Sequence, residues 1–202
     1  MNYDTTRKSL LLRVRDPGDQ GAWYEFDACY RELILRYCRA KGLQAADAED
    51  VRQIVMISLS SAMKNFQYQP ERGRFRGYLG RVVSNAVARH RKRQSSAVPL
   101  EGEVLEGIAP IDDVSENDSD WEREWVNHHY RRAMQTLSAT VEKSSIDAFE
   151  KLLAGASVEQ VATEMNMAPQ TVYKVRQRMR DRLQELVQEQ IREEDDAWTS
   201  AS

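Results

Sequence analysis

A chain of 202 residues that is 41% hydrophobic and 30% charged, with a formal net charge of −3, has the composition of a soluble globular protein of one medium or two small domains. No run approaches the roughly 18 apolar residues that a membrane span needs, and the N-terminus lacks the apolar core of a signal peptide, so a cytoplasmic location is expected. Cys29 and Cys38 read as buried thiols, and His90, His128 and His129 lack matching ligands; with no glycine loop or nucleophile motif either, the chain is expected to hold no metal or cofactor and to be no enzyme.

Residues 4–42 read as helices. Ser9, Leu10, Leu11, Leu12 and Val14 belong to a short one, ended by Asp16, Pro17 and Gly18. Asp19 caps a longer one, whose apolar positions Trp23, Phe26, Tyr30, Leu33, Ile34, Tyr37 and Cys38 recur at three and four until Gly42 stops it. Asp47 opens the next, with Glu49 and Asp50 in its positively polarised first turn and with Val51, Val55, Leu59, Ala62 and Phe66 inward. Its other face carries Arg52, Gln53, Met56, Ser60 and Lys64. Met56 there suits a protein contact or the edge of a core, the second being the plainer reading. A loop from Gln67 to Gly73, containing Pro70, breaks the pattern.

The stretch from Arg72 to Arg93 carries eight cations (Arg72, Arg74, Arg76, Arg81, Arg89, Arg91, Lys92 and Arg93) and no acid, in a chain of net negative charge. Such segregation implies an anionic partner. Phe75 and Tyr78 lie among the cations, and rings between cations suit unpaired bases better than an intact duplex. The alternative is a solvated basic helix face with both rings in the core. Helical spacing sets Leu79, Val82, Val83, Ala86 and Val87 inward, and Arg81, Ser84, Asn85, Arg89 and Arg91 outward on another sector.

The pattern then disappears. Residues 95–120 read as a flexible linker between domains, and from Glu101 to Glu124 ten acids face the single cation Arg123, which keeps such a segment extended. It is an inert spacer or has a role of its own. From Trp121 to Leu137 helical spacing resumes, with Val126, Tyr130, Met134 and Leu137 as the expected buried stripe and Trp121, Trp125, His128, His129, Arg132 and Gln135 marking successive turns. Ile146, Phe149, Leu152 and Leu153 define the next helix, closed by Gly155. Ser157 and Gln160 then have the spacing of a capping box.

The capped helix, with Val158, Val161, Ala162 and Met165, stops at Asn166, and a new one begins at Pro169, a favoured first position. This is a helix, a short turn and a helix. Val172, Val175, Met179, Leu183 and Leu186 point inward. Gln170, Thr171, Tyr173, Lys174, Gln177 and Arg178 are left outward near the start, where a recognition helix reads base edges. Helix pairs joined by tight turns also serve purely structural ends. The acidic tail after Glu185 is expected to fray.

Both ends together resemble bacterial RNA polymerase sigma factors of the sigma-70 family, in particular the compact extracytoplasmic-function type that retains only sigma domains two and four. The run Ala48 to Gln53 is similar to the helix those factors dock on the polymerase beta-prime clamp. Gly73 to Leu79, with Arg81 and Asn85, is similar to their segment for melting and reading the minus-ten element. Gly155 to Leu183, with Val161, Ala162, Thr171, Val172 and Arg178, resembles the helix-turn-helix that contacts the minus-thirty-five element beside the beta flap. Departures are Tyr78 where Trp is usual, Met56 where Phe is frequent, and Asn166 in a turn position often filled by Gly.

The resemblance implies an all-α chain of two small domains: residues 1–94 for polymerase binding and melting, an acidic linker at 95–120, a helix-turn-helix domain at 121–192, and an acidic tail at 193–202. It implies a transcription initiation factor with core RNA polymerase and promoter DNA, duplex and melted, as partners, and it admits an anti-sigma factor. The implied sites are Arg74, Phe75, Arg76, Tyr78, Arg81, Asn85 and Arg89 for the minus-ten DNA; Gln170, Thr171, Tyr173, Lys174, Gln177 and Arg178 for the minus-thirty-five DNA; and Glu49, Asp50, Arg52, Gln53 and Met56 for polymerase docking. The linker would thread toward the polymerase cleft or shield the basic faces. The rival readings are a helix-turn-helix regulator acting on duplex DNA without polymerase, and a polymerase-binding regulator that does not read DNA.

Overall fold

The computed structural model of the chain describes residues 8–63, 74–95 and 118–199. Among them are eight α-helices and no strand, the all-α class expected: α1 (Lys8–Arg13), α2 (Gln20–Ala40), α3 (Ala45–Met63), α4 (Phe75–Ser95), α5 (Ser119–Thr140), α6 (Lys143–Leu153), α7 (Val158–Glu164) and α8 (Pro169–Thr199). Phe66, the loop from 67 to 73, Arg72 and the acidic run from 101 to 116 lie outside the described residues. By their contacts the residues divide into two compact units, Met1–His128 with Arg192–Ser202, and His129–Ile191.

In the first unit the apolar stripes of α2, α3 and α4 meet in one core, as their spacing requires. Phe26, Tyr30, Leu33, Ile34, Tyr37 and Cys38 of α2, Val51, Val55 and Leu59 of α3, and Leu79, Val82, Val83, Ala86 and Val87 of α4 are all buried in it. Asp19 caps α2 through its carboxylate, which accepts the Ala22 amide at 2.8 Å, and Gly42 ends it with φ 85°. Burial pushes the Cys38 thiol up to about 12, so it stays protonated and packs as an apolar group; Cys29 is only half-buried.

Two expectations fail here, for one physical reason. Val126 is 60% exposed, while Trp121, Trp125 and His128 are buried, because a tryptophan brings far more apolar area to a core than a valine does. In the first unit the inward stripe of α5 therefore follows its tryptophans, while Leu137, on the expected stripe, is buried in the second unit. The tail expected to fray is helical to Thr199, with Ala197 and Trp198 buried in the same core.

The N-terminus of α5 is fixed electrostatically as well. Asp118 accepts from the Asp120 amide at 3.0 Å and from the Tyr37 hydroxyl, and Lys41 Nζ lies 2.9 Å from carboxylate oxygens of both Asp118 and Asp120. Burial alone would push the Asp118 carboxyl up, yet the hydrogen bonds from Tyr37 and Lys41 outweigh it and hold the group below the usual carboxylate range. The two last acids of the presumed linker thus belong to a clamp. The indole of Trp121 packs against α4 and donates to the Arg76 carbonyl at 3.2 Å. A Cβ at Gly80 would come within 2.7 Å of that indole, whereas one at Gly77 would meet nothing within 4 Å.

The second unit has its own core of Ala133, Leu137, Ile146, Phe149, Val158, Val161, Ala162, Val172, Val175, Met179 and Leu186. Its boundaries follow local chemistry. Gly155 has φ 97°, Ser157 and Gln160 form the full capping box, and Asn166 takes φ 51° in the turn before Pro169, a conformation that Asn tolerates better than most residues. His129 Nδ1 lies 3.1 Å from Gln190 Oε1 inside this unit.

Replacing Asp118 with Ala should cost about 0.5–2 kcal/mol near neutral pH, the range for losing a helix cap. Because the folded carboxyl titrates below the unfolded one, the wild-type advantage is complete above about pH 4 and shrinks as the pH falls through the folded value. Urea melts of both proteins across that window check it; a gap that widens on acidification contradicts it. Gly80→Ala should lower stability by about 1–3 kcal/mol through overpacking on Trp121. Gly77→Ala should raise it by up to about 1 kcal/mol through helix propensity, and equal effects at the two glycines would refute the packing account.

Candidate nucleic-acid interface

Buried Phe75 at the first turn of α4 determines which neighbours face solvent. At about 100° per residue, a ring driven inward turns the residues on either side outward. Arg74, Arg76 and Arg81 are exposed. Phe75 itself is 1% exposed and packs against Phe26, Tyr30, Trp125 and Trp198, with ring centroids 5.2–6.4 Å apart. Tyr78 is half-buried beside Trp198, their centroids 5.0 Å apart.

Phe75 lies in the core, while Tyr78 packs against that core with part of its ring still accessible. Asn85 is likewise buried, with no hydrogen-bond partner for Oδ1, and does not share the outward sector of Arg81.

The cations of α4 divide by position. Near its C-terminus, Arg91 donates to the Lys41 carbonyl at the end of α2, and His90 Nε2 lies 3.2 Å from Asp47. These side chains tie helices together. Near the N-terminus, Arg74 pairs with Asp195 at 3.2 Å and Arg76 with Glu122 at 3.0 Å. Burial pushes the Asp195 carboxyl up, with Arg74 opposing the shift. Arg89 is half-buried.

On α3, the guanidinium of Arg52 bridges Asp27 of α2 and Glu49, the latter at 2.8 Å, and Arg31 reaches Glu49 at 2.7 Å. Arg52 holds the Glu49 carboxyl below the usual carboxylate range. Arg52 and Glu49 thus join α2 to α3, and Met56 packs against the core, the plainer of its two readings. Asp50 and Gln53 are exposed.

At the start of α8, Gln170, Thr171, Tyr173, Lys174, Gln177 and Arg178 are all exposed, while Val172, Val175 and Met179 are buried. The helix-turn-helix spacing holds. Two of these residues already have partners: Gln177 donates to Asp181 at 2.7 Å and Arg178 to Ser145 of α6 at 3.1 Å. Arg176 lies 5.0 Å over the Tyr173 ring.

Sequence reasoning missed Glu122, Asp195 and Trp198, which meet the basic end of α4 directly. The one available signal was Trp198, a large apolar ring in an acidic tail otherwise devoid of them.

Among the described residues no helix is long and apolar enough to cross a membrane. Comparison with curated proteins brings up no match. Residues 27–97, which take in α3, α4 and most of α2, match the family model for sigma-70 region 2; this supports a sigma-70 family factor with a role in transcription initiation, and implies binding to core RNA polymerase and promoter DNA.

Proposed function

We propose that the chain is a sigma factor of the compact, extracytoplasmic-function type: it binds core RNA polymerase, directs it to a two-part promoter and helps to open the DNA, while polymerase makes the RNA. The observation that carries this reading is the pairing, in one chain, of the region 2 match with a helix-turn-helix whose second helix begins in a row of exposed polar side chains. Lys174, Gln170, Thr171 and Tyr173 contact the upstream duplex. Gln177 and Arg178 join them by exchanging Asp181 and Ser145 for DNA. Asp50 and Gln53 supply the exposed part of the polymerase-docking face, and Arg52 and Glu49 hold it in shape.

In the first unit Arg74, Arg76, Arg81 and Arg89 hold phosphates of the melted strand, and Tyr78, at the half-buried edge, stacks on a base. Phe75 supports that edge from the core. Stacking is worth about 1–3 kcal/mol per base and breaking a pair costs a few kcal/mol. One captured base thus offsets about one broken step, and polymerase contacts supply the remainder.

Transcription from genomic fragments with purified core polymerase, with and without the protein, tests the reading: start sites that appear only when it is added support it. A factor that footprints DNA by itself yet leaves transcription unchanged is an ordinary regulator. On a mapped promoter, Lys174→Ala should lower the slope of log affinity against log salt by about 1 at the upstream element. It should spare transcription from a pre-opened template, and equal losses on both templates count against the assignment.

A further inference from the structure

The end of α8 brings to the basic end of α4 the two chemical features of a nucleotide, an aromatic ring and an anion. Trp198 is 3% exposed, with its ring centroid 5.2 Å from Phe75 and 5.0 Å from Tyr78. Asp195 pairs with Arg74 at 3.2 Å. Glu194, itself 2% exposed, accepts the Tyr30 hydroxyl at 2.9 Å and so ties the segment to α2. The local sequence is one-sided, because Glu193, Glu194, Asp195 and Asp196 follow Arg192 with no further cation before Thr199.

We propose that the C-terminal segment from Glu193 to Thr199 is an internal cover for the melting surface of α4, holding the Tyr78 edge and the Arg74 guanidinium with its own ring and carboxylate until single-stranded DNA displaces it. This rests on the proposal that Arg74, Arg76 and Tyr78 contact the melted strand, and adds that the free chain carries its own competitor for that contact. The two attachments differ in kind. An ion pair whose arginine side chain is 75% exposed is weak and exchanges readily for a phosphate, whereas a buried indole is released only when another ring takes its place or its segment withdraws. Ring burial thus holds the cover shut, and charge matches it to what it excludes.

The test uses the full chain without polymerase and a fluorescein-labelled single-stranded oligonucleotide of mixed sequence, read by anisotropy at fixed salt. Asp195→Asn combined with Trp198→Ala should bind about tenfold tighter than wild type, a difference of about 1.4 kcal/mol. Adding Arg74→Ala should abolish the gain, and Trp198→Phe alone should keep the cover closed. Unchanged affinity in a double variant that retains wild-type helicity and a cooperative melt overturns the proposal.

Should the double variant fail to fold, hydrogen exchange on the wild-type protein decides. Saturating oligonucleotide should speed exchange of the amides from Glu193 to Thr199, and no change there overturns the cover. Permanganate reactivity of a promoter with core polymerase and wild-type chain separates the two levels. Normal opening alongside an unresponsive double variant removes the cover alone, whereas absence of opening removes the melting assignment beneath it.

Discussion

The arrangement of the first unit depends on the burial of Phe75. Rings from α2, α5 and α8 meet it at edge or tilted geometries, and such pairs add about 0.5–1.5 kcal/mol each beyond the area they bury. One residue of a strongly basic segment is thereby fixed in the core, and its flanking arginines have no route inward. The surface chemistry of α4 is a consequence of where one apolar ring must go.

The same logic explains the glycine in the middle of α4. Glycine in a helix interior costs about 0.5–1 kcal/mol relative to alanine, and at Gly80 that cost permits the Trp121 indole to lie on the helix backbone. From there Trp121 fixes the start of α5, Lys41 holds Asp118 and Asp120, and Glu122 comes to face Arg76. A small residue on one helix thus determines which carboxylate meets the cation directly after the buried ring.

What was legible in the sequence was local. The stops at Gly42 and Gly155, the box of Ser157 and Gln160, the left-handed Asn166 and the stripes of α2, α4 and the start of α8 depend on neighbours three or four positions away, and the sequence displays these directly. What escaped depends on partners far along the chain. Periodicity alone could not choose between the Val126 and Trp125 faces of α5, because both repeat at helical spacing and only the amount of apolar surface available to bury decides. Arg52, Arg91 and Arg178 look in sequence like cations awaiting a partner, yet Asp27, the Lys41 carbonyl and Ser145 engage them. Polar and aromatic residues among arginines suggest a ligand, yet Asn85 and Phe75 are buried, so part of that pattern serves packing.

The two surfaces proposed to face DNA consequently start from different states. Lys174 and its neighbours on α8 project from a helix whose start is fixed by proline and whose inner face is already packed, so the row is formed before any DNA arrives. On α4, Arg74 and Arg76 already have carboxylate partners, and half-buried Tyr78 has the Trp198 ring against it. Exposed pairs of this kind are worth at most about 1 kcal/mol, and phosphates compete for them through counterion release as well as direct contact. The cations of α4 can therefore change partners at little cost, while the ring beside Tyr78 sets the larger barrier. If α8 and α4 contact DNA as proposed, duplex recognition by α8 would precede capture of a melted strand by α4, because the side chains of α4 are the ones already satisfied within the folded chain.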